Sequence, residues 1–138
     1  IGLGIPAEPL FRSSYAYQLR MNVSMDQNST ITLSNGNDEK FVIDIFASTR
    51  SLAVKRNATT GKTSFNGSFS VPSIQAPLNV EGDLVVVDLF VDQSSVELIT
   101  QDGAMSMTNL VFPQSIYDHI SMTNPKCSVQ VRSLSRIW

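Results

Sequence analysis

Cysteine and histidine each occur only once in these 138 residues, as Cys127 and His119, and that scarcity removes several chemistries together. A single cysteine closes no intrachain disulfide. With no second Cys or His beside it, Cys127 cannot begin a zinc site and is expected as a small buried strand residue. One histidine leaves one candidate base for a nucleophile–base arrangement, and its neighbours Tyr117 and Asp118 put His119 in a loop-like stretch, solvated. No Gly-x-Ser-x-Gly elbow sets a serine on a strained turn. Charge is sparse too: 16% of residues are charged, the net charge is −2, and the ten Lys and Arg are scattered. Such a surface does not track phosphates, so nucleic acid is not an expected partner. No run reaches the ~18–20 apolar residues that span a bilayer, and no basic segment precedes an apolar stretch at the start, so neither a membrane partner nor a targeting signal is expected.

Helical periodicity is also scarce, whereas two-residue alternation recurs almost everywhere. Tyr15, Tyr17, Leu19, Met21, Val23 and Met25 alternate with polar or small residues, the pattern of a half-buried antiparallel strand. Ile31 and Leu33 mark a second. Ser34-Asn35-Gly36-Asn37-Asp38 supplies a turn, with Asn-Gly suited to positive φ, and the chain returns through 41–46. Residues 52–55 and 62–65 read as a hairpin around Arg56–Gly61. Within that loop Gly61-Lys62-Thr63 has the tail of a phosphate loop, but no Gly lies five positions earlier. The two prolines of 71–78 exclude an internal strand there. Strands are expected again over 104–112, closed by Pro113, and over 127–134. Ten or so short strands without helical crossovers predict an all-β, two-sheet antiparallel β-sandwich, with an up-and-down barrel as the alternative. Residues 1–14, which include Gly2, Gly4, Pro6 and Pro9, read as a linker from a preceding domain, and 15–138 as one module.

Residues 84–101 are the most explicit. Strands over 84–92 and 95–101, turned at Gln93-Ser94, put Phe90 opposite Glu97 and Asp88 opposite Ile99. One face then carries Val87, Leu89, Val91, Val96, Leu98 and Thr100 and should be core. The other carries Asp88, Phe90, Asp92, Ser95, Glu97 and Ile99. Glu97 is diagonal to both aspartates, so three carboxylates approach within roughly 7–8 Å around an aromatic ring. That spacing overlaps glycosidase carboxylate pairs, and a ring beside carboxylates suits sugar binding, which makes Asp88, Phe90, Asp92 and Glu97 candidate carbohydrate-binding residues. A purely structural role fits as well: Asp92 begins a turn where it accepts from the Ser94 amide, and Glu97 is placed to pair with an Arg on a neighbouring strand. No catalytic residue and no metal ligand is assigned. Asn22, Asn28, Asn57 and Asn66 each open an Asn-x-Ser/Thr sequon, which matters only in a eukaryotic secretory pathway.

Phe90-Val91-Asp92-Gln93-Ser94-Ser95-Val96-Glu97-Leu98, then Gln101-Asp102-Gly103, then Thr108 and Val111-Phe112-Pro113, resembles the signature of the C-terminal β-sandwich module of glycoside hydrolase family 32, the family of invertases, levanases and inulinases. Leu52-Ala53-Val54-Lys55-Arg56, Gly61 and Ser64-Phe65 are similar to a hairpin of that module, and Ala76-Pro77-Leu78 to the segment before the signature. Ile99 stands where an aromatic is common, Gln101 where Asn is common, and Lys55 where an acid usually precedes the arginine.

The resemblance implies that this chain is not itself catalytic. The family's nucleophile and acid/base carboxylates come from an N-terminal five-bladed propeller, and their motifs are not found in these residues. The parent is then expected to be a β-fructofuranosidase-type hydrolase acting on sucrose, levan or inulin by a retaining mechanism without cofactor, extracellular or periplasmic. The expected role of this chain is a module that packs on and stabilises the propeller. An independent module binding fructan or sucrose is the first alternative, and a protein–protein assembly module the second.

Overall fold

The computed structural model describes residues 5–9, 16–55, 73–78, 80, 82–92, 94–101, 103–111, 113 and 115–133. Those residues form eleven strands and no helix. In chain order they are β1 (Ile5–Pro9), β2 (Ala16–Ser24), β3 (Ser29–Ser34), β4 (Lys40–Phe46), β5 (Ser51–Lys55), β6 (Ser73–Pro77), β7 (Leu84–Asp92), β8 (Ser95–Thr100), β9 (Met105–Leu110), β10 (His119–Met122) and β11 (Cys127–Ser133). One sheet has six strands in the order β1-β10-β3-β4-β5-β6, the other five in the order β11-β2-β7-β8-β9. Every described pairing is antiparallel. Two separate sheets make the fold a sandwich, not the barrel held as the alternative.

Alternation decides which side of each strand faces the other sheet. From the five-stranded sheet, Tyr17, Leu19, Met21 and Val23 of β2, Val85, Val87, Leu89 and Val91 of β7, and Val96 and Leu98 of β8 are buried. From the six-stranded sheet, Ile31, Leu33, Phe41, Ile43, Ile45, Leu52, Val54, Ile120 and Met122 are buried against them, and all belong to one cluster. Each fully buried side chain of this kind contributes roughly 1.5–3 kcal/mol relative to exposure, so a one-residue slip of any central strand would cost several such terms.

The β7–β8 hairpin has the expected register, Phe90 opposite Glu97 and Asp88 opposite Ile99. β6, with Pro77 at its end, is the last described strand of its sheet, consistent with the proline argument. Three features differ from expectation. Residues 5–9, inside the stretch read as a linker, form a strand on β10, with a register irregularity between Ile5 and Glu8. His119, expected in a solvated loop, begins β10 instead, paired with Ser34 of β3, and its side chain is 38% exposed. Neither segment shows a readable period: β1 holds two prolines and β10 has four residues. In the β3–β4 turn the positive φ falls at Asp38 (60°), not at Asn35-Gly36. There Asn35 Oδ1 accepts from the amides of Asn37 (2.9 Å) and Glu39 (3.2 Å), and the left-handed residue comes late in the loop. The hairpin read at 52–65 lies beyond Lys55 outside the described residues, as do Gly61-Lys62-Thr63 and the sequons at Asn57 and Asn66.

Candidate functional site

The polar side chains of β2, β7, β8 and β11 meet on the outer face of the five-stranded sheet. Register builds two adjacent rows across it. One runs Arg132, Gln18, Phe90, Glu97, Thr108, and the next Gln130, Arg20, Asp88, Ile99, Ser106. All four residues singled out in the sequence lie on this face or at its hairpin end, but their environments differ.

Asp88 is only 4% exposed although it sits on the outer side of the sheet. Arg20 Nη1 donates to its Oδ2 at 3.0 Å, and Gln18 Nε2 donates to its Oδ1 at 3.1 Å. These contacts compensate the desolvation of the carboxylate, and losing Arg20 would leave it buried with its charge unpaired. Asp92 is a turn residue: its Oδ1 accepts from the amides of Ser94 (2.8 Å) and Ser95 (2.7 Å), and both serine hydroxyls lie at 3.2 Å. The sequence-level Asx-turn reading therefore describes Asp92 well. Phe90 is half-buried opposite the exposed Glu97. No arginine of the described residues pairs with Glu97; the expected carboxylate–arginine contact is made by Asp88 instead.

Between β2 and β11 the same face holds a depression of about 250 Å³ lined by Gln18, Arg20, Gln130, Val131 and Arg132. Four of these residues, Gln18, Arg20, Gln130 and Arg132, are not among the site candidates expected from the sequence. Gln18, Arg20, Gln130 and Arg132 are legible in the sequence as the solvent-side positions of two alternating strands. Nothing local says that β11 and β7 flank β2, and only that pairing brings the four together beside Asp88.

Elsewhere, buried polar groups serve the fold. The Tyr17 hydroxyl donates to the Tyr117 carbonyl oxygen, tying β2 to the segment before β10. Burial, with the negative charge of Asp118 nearby, pushes the Tyr17 phenol far above its ordinary pKa. Burial likewise raises Tyr117, whose hydroxyl has no hydrogen-bond partner among the described residues. Asn35 Nδ2 donates to Glu39 Oε1 (2.9 Å) and to the Ser115 carbonyl (2.8 Å), holding a buried acid in the β3–β4 turn. Cys127 is half-buried at the start of β11, its thiol donating to the Asn124 carbonyl at 2.9 Å and pushed up in pKa by burial, the opposite of an activated thiolate. His119 Nδ1 lies 2.7 Å from Asp118 Oδ1. Among the described residues no group of three or more His, Cys, Asp or Glu is placed to hold a metal. Of the described sequons, Asn22 is half-buried and donates to Ser128 Oγ at 3.3 Å, while Asn28 is exposed and caps the Ala47 amide at 3.0 Å.

Comparison with known proteins gives this architecture a family. The model of the glycosyl hydrolases family 32 C-terminal domain matches residues 6–138. The chain is 26% identical over 136 residues to a levanase of Bacillus sp. (strain L7), covering 91% of this chain and 14% of that protein. It is 30% identical over 84 residues to a levanase of Bacillus subtilis (strain 168), covering 57% of this chain and 12% of that protein. Among solved structures, the exo-inulinase of Aspergillus awamori superimposes with a TM-score of 0.81 at 19% identity, over 99% of this chain and 28% of that one. The chain thus spans about one-seventh or less of the two levanases it matches. A two-sheet sandwich of this topology, matched by the family's model over nearly its whole length, belongs to the C-terminal domain family of the family 32 glycosyl hydrolases.

Proposed function

We propose that this domain is the noncatalytic C-terminal module of a longer fructan- or sucrose-hydrolysing enzyme, packing on and stabilising an N-terminal catalytic propeller. The observation that carries the reading is one of proportion: the family match runs over residues 6–138, yet the chain corresponds to only 14% and 12% of the levanases it resembles. Hydrolysis with retention needs two carboxyl groups about 5–5.5 Å apart, one ionised as nucleophile and one protonated as acid. The carboxylates on the outer face are not disposed for that: Asp88 is neutralised by Arg20, Asp92 caps a turn, and Glu97 is exposed with no ionic partner among the described residues. The chemistry is assigned to the propeller, and to this domain the task of covering part of its surface. Levan and inulin are polymers too large to enter a cell intact, so a parent that hydrolyses them acts outside the cytoplasm, extracellular or periplasmic.

Deleting residues 15–138 from the parent tests the proposal. Thermal unfolding at lower temperature and loss of fructanase activity are expected, with partial recovery when the domain is added back in trans. A truncated parent of undiminished stability and activity would refute the module's role.

A further inference from the structure

The backbone of the β3–β4 turn does not itself demand the pair Asn35-Gly36. Gly36 is exposed, its φ lies outside the left-handed region, and a Cβ added to it would meet nothing within 4 Å, so an alanine fits the same conformation. The left-handed residue of the turn is Asp38. Glycine matters at position 36 for a chemical reason instead. An asparagine followed by glycine is the dipeptide most open to deamidation, because no side chain shields the next backbone nitrogen from the asparagine Cγ.

The folded turn holds that reaction back. Asn35 is buried, and every hydrogen-bonding position of its side-chain amide is occupied. Oδ1 accepts from the Asn37 and Glu39 amides, and Nδ2 donates to Glu39 Oε1 and the Ser115 carbonyl. Its main chain is fixed as well, the amide donating to the Glu39 carbonyl and the carbonyl accepting from the Asp38 amide, both at 3.3 Å. For ring closure the Gly36 nitrogen must reach Asn35 Cγ, which turns the side chain and the ψ of Asn35 away from these partners. Once the turn is open, Gly36 N gives its proton to solvent base and bonds to Cγ. The Cγ–Nδ2 bond breaks, and Nδ2 leaves as ammonia with a proton taken from water. Water then opens the cyclic imide, at Cγ to give aspartate or at the main-chain carbon to give isoaspartate. In aspartate an oxygen stands where Nδ2 was, facing Glu39 Oε1 and the Ser115 carbonyl oxygen with no hydrogen for either. Isoaspartate carries the same charge and lengthens the main chain by one carbon within the turn.

We propose that Asn35 is a modification site kept latent by the fold, and that its deamidation is an irreversible latch on the unfolded side. The reaction occurs when the β3–β4 turn opens, and its product prevents the turn from closing again on the Ser115 segment. That segment leads into Tyr117, whose carbonyl takes the Tyr17 hydroxyl, so the damage extends to a contact that ties β2 to the chain before β10. The latch limits how often the domain survives opening, and it is independent of the role proposed for the domain in the parent enzyme.

Peptide mapping by mass spectrometry tests both halves on the 138-residue chain, incubated in mildly alkaline buffer with and without guanidinium chloride. Conversion at Asn35 is expected to be slower without denaturant by about tenfold or more, because it draws only on the open fraction. In denaturant it should keep pace with conversion at Asn66, which opens the other Asn-Gly pair of the sequence. After the denaturant is removed, the refolded fraction should hold the amide at position 35 and the fraction that fails to refold should be enriched in the acid there, whichever form position 66 has. Gly36→Ala should keep the wild-type denaturation midpoint and slow the conversion in denaturant. Asn35→Asp should lower the midpoint or abolish folding. Conversion at Asn35 in the folded chain as fast as in denaturant, equal refolding of the acid and amide forms, or an Asn35→Asp midpoint at or above that of the wild type would each overturn the proposal.

Discussion

Tyr17 and Tyr117 show how little the identity of a side chain says about its energetic role. Both phenols are at most 1% exposed, but the Tyr17 hydroxyl donates to a backbone carbonyl and the Tyr117 hydroxyl has no partner among the described residues. Tyr17→Phe leaves the Tyr117 carbonyl without that donor and should destabilise the domain by about 1–2 kcal/mol. Tyr117→Phe removes a buried group that makes no hydrogen bond and should be neutral within about 0.5 kcal/mol, or stabilising; urea midpoints of the two variants give the comparison directly. Asp92 is a third case. Because one of its oxygens accepts two backbone amides at the β7–β8 turn, Asp92→Ala should cost about 1–2 kcal/mol with an unchanged denaturant slope. Alternation alone put Asp92 among the ligand candidates, and its position before Gln93-Ser94 also marked it as a turn former. The amide contacts show that the turn role is the one made within the chain.

At the scale of elements, the strands found in advance are those whose alternation runs long enough to be distinctive, and the strands not found are short or proline-bearing. β2 and β7 have nine residues each, and both were legible, as was the register of β7 on β8, because a two-residue turn leaves almost no freedom of pairing. β10 has four residues and β1 carries two prolines; β10 becomes a strand because β3 offers an edge, and β1 because β10 then offers the next, a tertiary fact. The β3–β4 connection has a similar lesson. Asn-Gly is the expected carrier of the left-handed conformation, but Asn35 accepts from two amides and Asp38 takes φ 60°. Asp38 is exposed and among the described residues its ionic contact is with Lys40 at 3.8 Å, so Asp38→Gly should relieve strain and raise stability by a few tenths to about 1 kcal/mol. A lower urea midpoint in that variant would show that the Asp38 side chain contributes more than its exposed geometry indicates.

At the scale of the whole molecule, one core shared by two sheets makes stability a collective property with a defined response to alkali. A phenol whose folded-state pKa lies above its ordinary 10.0 binds its proton more tightly in the folded chain than in the unfolded one. The corresponding stability is complete below pH 10 and is lost as the pH rises beyond it, by about 1.4 kcal/mol per pH unit for each such group. With Tyr17 and Tyr117 both raised, the urea midpoint should not respond to these groups between about pH 7 and 9 and should fall steeply above about pH 10. The tyrosinate absorbance of the two residues should appear together with unfolding; its appearance in a still-folded chain would refute the assignment.

The sequence by itself determined the all-β class, the sandwich as leading architecture, the inward face of each long strand and the family, because all four depend on local alternation or on the order of short motifs. Which strands distant in the chain lie side by side was decided only in the tertiary structure, since pairing between residues as far apart as Gln18 and Arg132 is set by how two sheets close over one core, and no local pattern encodes it. The same reason accounts for the site. Asp88 and Phe90 could be named from their hairpin, but Gln18, Arg20, Gln130 and Arg132 became their neighbours only when β2 was placed between β7 and β11.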